Sequence, residues 1–255
     1  MNENPYAPPA EIAENAREEE KFENGLRWLA WGTVWLLGGC VSMVIILLYM
    51  MLEIYGFSVF WALPRHRLPS PAEIRLVEFI WKLLAAAGGT TLVTFLLGLF
   101  CCGFCPNRLV KWGAFHLAGS VGMLVAAVVV PFFIVLEYHY LDSDTEIMLA
   151  SLFVAGVGAS VLMWLFFWLR LANALESVTG ERLAWSVMII FCVLVMGMVV
   201  SFYAADLWWE FWWGIRRGMQ MLGVFAGMVC VGVYAALLNT LRRRIRRALT
   251  GVCSF

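Results

Sequence analysis

WLAWGTVWLLGGCVSMVIILLYMML, residues 28–52, holds no Asp, Glu, Lys or Arg between Arg27 and Glu53. A helix rising about 1.5 Å per residue needs about 20 apolar residues to cross a hydrocarbon core about 30 Å thick, and this stretch exceeds that length. It does not alternate polar and apolar positions as a lipid-facing barrel strand would. The same cut at charged residues leaves five more runs, 83–107, 112–136, 147–169, 183–205 and 218–241. The predicted fold is therefore all-α, a polytopic bundle of six transmembrane helices.

Composition agrees with that reading. The 255 residues are 62% hydrophobic and 14% charged, with a mean hydropathy of +0.81, far from the roughly half-apolar usage of soluble domains. The 22 Gly follow no three-residue period and the 7 Cys are scattered, which excludes collagen-like and disulfide-scaffold chains. Lys and Arg balance Asp and Glu at 18 each, so electrostatic information resides in arrangement rather than in net charge.

Basic residues are retained on the cytoplasmic side of a membrane. With the N-terminus inside, the inner segments hold Arg17, Lys21, Arg27, Arg108, Lys111, Arg170, Arg182 and the Arg242–Arg247 cluster, whereas Arg65, Arg67, Arg75, Lys82, Arg216 and Arg217 fall outside. Both termini are expected in the cytoplasm. Trp28, Trp31, Trp81, Trp112, Trp164, Trp168 and Trp185 lie near span ends, where an amphipathic ring sits at headgroup level. Trp35 lies deeper and is the exception. The tryptophan-rich 208–213 run reads as an interfacial anchor.

Three regions follow. Residues 1–25 are expected to form a cytoplasmic tail with a short acidic helix that Gly25 breaks, residues 26–241 the six-span domain, and residues 242–255 a basic cytoplasmic tail. The first 27 residues carry seven Glu and no apolar core of a cleavable signal, so the first span is read as an uncleaved signal. The acidic helix stands in water or docks on a protein partner, because its charge disfavours anionic lipid. Ser70-Pro71-Ala72-Glu73 is a capping box that predicts the start of the second helix. Residues 55–63 are apolar but too short to span, and are expected in the interface or folded back against the bundle.

Arg242, Arg243, Arg244, Arg246 and Arg247 directly follow a span. There they read as contacts to anionic lipid headgroups rather than to nucleic acid. Cys102 and Cys105, with Cys101 beside them, have the spacing of a redox dithiol or half a zinc site. His116 is the only nearby histidine, about 6 Å deeper along the helices, and apolar buried thiols are the default. Glu137, His139, Asp142, Asp144 and Glu146 offer oxygen ligands without the spacing of a calcium loop.

No Asp, Glu, Lys or Arg lies inside any span, which weighs against ion-coupled transport. Small residues recur instead: Ala114, Ala118, Gly122 and Ala126; Ser151, Ala155 and Ala159; Gly214, Gly218, Gly223 and Gly227. Such rows let helix backbones approach closely, and intramolecular packing is the expectation. Gly158-Ala159-Ser160 approaches the Gly-x-Ser-Gly nucleophile of the rhomboid intramembrane proteases, but Val161 replaces the second glycine and the last span has no His. A serine without a base is not activated. The Asn4-Pro5-Tyr6 start, and Arg170-Leu171-Ala172 followed by Arg182-Leu183-Ala184, resemble features of uncharacterised multi-span bacterial membrane proteins, which implies a bacterial inner membrane.

The functional expectation is a non-enzymatic membrane component for assembly or interaction, without cofactor or catalytic residues. Membrane lipids are its partners, together with a protein at the acidic helix or a second copy. A facilitator or permease would instead line a midplane cavity with Thr90, Thr91, Thr94, Ser120 and Ser160. A thiol or metal protein would bring Cys102 and Cys105 together or onto an ion.

Overall fold

The computed structural model describes residues 9–54, 71–137, 143–204 and 212–250. Six helices and no strands occur among them: α1 (Pro9–Ile54), α2 (Pro71–Gly103), α3 (Gly113–Glu137), α4 (Ser143–Ala174), α5 (Val178–Ala204) and α6 (Trp212–Leu249). Five helices are long and apolar enough to cross a membrane, through Ala16–Met51, Glu78–Gly103, Ser151–Ala174, Val178–Gly197 and Met221–Leu249. α3 supplies the shorter apolar segment Gly113–Ala126. The start of α2 at Pro71 agrees with the capping-box reading. Residues 55–63 lie outside the described residues, as do most of the 208–213 run and the side chains of the acidic outer cluster.

Gly25 does not end a helix. α1, 46 residues long in all, continues through it, because the space of the missing side chain is filled by a neighbour: a Cβ there would lie 2.7 Å from Pro106 Cγ and 2.8 Å from the Phe104 carbonyl oxygen. The packing of the turn after α2 onto α1 replaces what glycine costs in a helix, about 1 kcal/mol. Leu26 and Leu29 are buried beside it, Phe22 leans on the core, and Glu18 pairs with Arg108 of the same turn. The later part of the acidic segment thus docks on its own chain.

α1 packs along α2 and α6, α6 along α5, α5 along α4, and α4 along α3, whereas α2 and α3 meet at few points. The α1–α2 seam is the tightest. Gly25, Gly32 and Gly39 recur every seven residues, and the turn after α2 meets the first while the antiparallel α2 meets the other two in order. A Cβ at Gly32 would sit 2.9 Å from Cys102 Sγ and 3.1 Å from the Gly98 carbonyl oxygen, and one at Gly39 would sit 2.9 Å from Thr94 Oγ1. A seven-residue repeat keeps one helix face on its neighbour, and small residues along it allow the approach that association in lipid requires.

The rows of small residues singled out above behave differently. Ala114, Ala118, Gly122 and Ala126 of α3 are all exposed, and a Cβ at Gly122 would meet nothing within 4 Å. This row is an outer face and not an internal seam. In α6, Gly227 faces Leu47, 3.5 Å from an added Cβ, while Gly223 is open.

Only Leu175, Glu176 and Ser177 separate α4 from α5. Ser177 N–H donates to Ala172 O at 2.9 Å and Glu176 N–H to Asn173 O at 3.0 Å, which is a Schellman closure with Glu176 left-handed at φ 48°. Ser177 Oγ then accepts from Gly180 N–H at 3.1 Å and caps α5.

Candidate functional site

The deepest burial gathers where α1, the end of α2, the end of α4 and the second half of α6 meet. Leu29, Cys102, Phe167, Trp168, Leu171, Leu237, Leu238, Leu241 and Ile245 are all fully buried there. Trp164 stacks on Phe167 with centroids 6.0 Å apart and meets Trp168 edge-on at 5.4 Å and Phe95 at 5.6 Å. Trp164 Nε1–H donates to Tyr234 Oη at 2.8 Å, tying α4 to α6. Trp168 Nε1, also buried, finds no acceptor at hydrogen-bonding geometry among the described residues.

Cys101, Cys102 and Cys105 are buried and free. Cys102 points at Gly32 of α1. Cys105, beyond the end of α2, closes the turn through its N–H to Cys102 O at 3.0 Å. Burial pushes its thiol up to about 12, so at neutral pH it is protonated and a poor nucleophile or ligand. His116 instead meets Phe166 edge-on at 5.4 Å. Among the described residues no three His, Cys, Asp or Glu side chains gather as a metal site would require.

The hydroxyls proposed for a solute path are spent on backbone. Thr90 donates to Ala86 O at 2.7 Å, Thr91 to Ala87 O at 2.8 Å and Thr94 to Thr90 O at 2.7 Å. Ser120 Oγ donates to Ser160 O at 2.9 Å, and Ser160 Oγ returns a bond to Ser120 O at 2.7 Å. This reciprocal clamp fastens α3 to α4.

The arginine cluster belongs to α6 itself, which continues to Leu249 rather than ending at the span. Ile245 is buried while Arg243, Arg246 and Arg247 are exposed. Arg242 is half-buried, and its Nε has no hydrogen-bond partner among the described residues.

On the exposed face of the α1–α2 pair, Asn24, Arg27, Trp28, Trp31, Trp35 and Cys101 line a groove of about 350 Å³. Arg27 Nη2 donates to Glu23 Oε1 at 2.7 Å. Trp28 lies 5.2 Å from Phe104 and 6.4 Å from Phe100. The i, i+3, i+7 spacing of the three tryptophans was the signal for this groove; headgroup-level anchoring accounts for two of them without requiring it.

No family model matches this chain, and comparison with the curated proteins and with the solved structures finds no similar one.

Proposed function

We propose that the chain is a six-span integral protein of a bacterial inner membrane, with both termini cytoplasmic, that acts without catalysis as a component for assembly or interaction. The outward small-residue face of α3 carries this reading. Ala114, Ala118, Gly122 and Ala126 present a flat row to the surroundings, and in lipid such a row is where another helix packs closely. The mutual engagement of Ser120 with Ser160 and of Trp164 with Tyr234 supports the same view, since these groups hold helices together rather than face a substrate. The exposed Arg243, Arg246 and Arg247 suit anionic headgroups at the inner surface.

The test is the assembly state in native membranes. Zero-length crosslinking through Ala118→Cys should trap a complex of the chain with a second copy or a partner helix, and Gly122→Leu should abolish it. A chain that remains solitary in both would refute the reading. Labelling of cysteines introduced near each terminus, from either side of the membrane, tests the orientation.

A further inference from the structure

We infer that the groove on the α1–α2 pair binds one glycerophospholipid whose headgroup carries both a phosphate and a primary ammonium, that is, a phosphatidylethanolamine. The inference rests on the membrane reading above. The uncharged run begins at Trp28, which puts Arg27 and Asn24 at the headgroup level and Glu23 one turn further out. Trp31 and Trp35 continue along the same face, 60% and 40% exposed. Trp35 lies about 12 Å beyond Arg27 along the helix, too deep for the preference of tryptophan for the interface. An acyl chain lying along Trp28, Trp31 and Trp35 explains an aromatic strip that reaches from the headgroups into the hydrocarbon.

The polar end selects the headgroup. Arg27 has five N–H donors and gives one to Glu23, leaving others for phosphate oxygens. Glu23 is about half exposed, so its carboxylate can accept from an ammonium beside that phosphate. Charge-assisted bonds of this kind are short and strong, and a choline cannot donate them. One wall is held in place beforehand by the packing of Trp28 on Phe104 and Phe100, and the volume falls in the ~300–1,000 Å³ range of ligand clefts.

The test reconstitutes the full chain in phosphatidylcholine vesicles containing equal mole fractions of brominated phosphatidylethanolamine, phosphatidylcholine or phosphatidylglycerol, and reads tryptophan quenching. The share due to Trp35 is the difference between the native chain and Trp35→Phe. It should half-saturate at a roughly threefold lower fraction of the ethanolamine lipid than of the other two, the scale of one solvent-exposed ion pair. Glu23→Gln, at an exposed position, should erase that preference, whereas Arg27→Gln should weaken quenching by all three lipids alike, and phosphatidylethanolamine retained through mild-detergent purification should fall in both. Equal quenching of Trp35 by all three lipids in the native chain, or a preference that survives Glu23→Gln, would overturn the site while leaving the membrane reading intact. Quenching of no tryptophan by any lipid would overturn both.

Discussion

Replacing Gly32 by Ala adds one methyl group at the closest approach of α1 to α2. The added Cβ would meet Cys102 Sγ at 2.9 Å, Cys101 Cβ at 3.1 Å and the Gly98 carbonyl oxygen at 3.1 Å. The sulfur belongs to a fully buried side chain and the carbonyl to backbone, so neither yields without parting the helices by a few tenths of an ångström. Overpacking of this kind costs about 1–3 kcal/mol, against a gain of about 1 kcal/mol from removing a mid-helix glycine. Gly89→Ala in α2 is the control, because a Cβ there meets nothing within 4 Å and only the helix-propensity gain remains. The two variants should differ by about 2 kcal/mol, a roughly thirtyfold change in the unfolding equilibrium, with Gly32→Ala the less stable. Reversible unfolding in mixed micelles, read by tryptophan emission, measures the difference. If both substitutions stabilise the chain equally, the glycine heptad does not hold a close seam.

Tyr234→Phe removes the acceptor of the Trp164 indole N–H and should cost about 1–3 kcal/mol, the penalty of a buried donor left unpaired, in the same unfolding measurement. Glu176→Gly should stabilise by about 1 kcal/mol, since Glu176 holds a left-handed conformation that glycine adopts without strain; a loss of stability would refute the closure described for α4. Cys105, with its thiol pushed up to about 12, should react with maleimide at pH 8 at least about a hundredfold more slowly than an unperturbed exposed thiol of pKa about 8.5. Its rate should rise about tenfold per pH unit until near pH 12 or until the chain unfolds. Rapid modification at pH 8 would instead favour thiol chemistry at this turn.

The uncharged runs made the helices legible because hydrocarbon thickness imposes a length that few other folds demand. Helix ends were less legible. Arg170 and Arg182 suggested a connection between them, yet α4 continues to Ala174 and α5 begins at Val178, since charge limits insertion depth and not helix propagation. The row from Ala114 to Ala126 was visible, but spacing alone does not say which neighbour a face meets; four-residue periodicity looks the same on an inner seam as on an outer one. The true seam repeats every seven residues through Gly25, Gly32 and Gly39, and its middle position is legible only once Gly98 and Cys102 of α2 are seen against it. Gly25 was misread because glycine is a poor helix former in water, while here Pro106 occupies the space a side chain would fill.

Helices in lipid lack the hydrophobic drive that assembles soluble cores, and must associate through close packing and hydrogen bonds. This chain separates those two means by helix pair. α1 and α2 rely on absent side chains at Gly32 and Gly98; α3 and α4 rely on the reciprocal serine bonds; α4 and α6 rely on the Trp164–Tyr234 bond within an aromatic stack. Among the described residues, α2 and α3 share no such device and meet at few points despite a short connection. The small-residue row of α3 is exposed and a Cβ at Gly122 would meet nothing within 4 Å, so Gly122→Leu should leave the fold of the single chain unchanged while blocking any close approach of a second helix to that face.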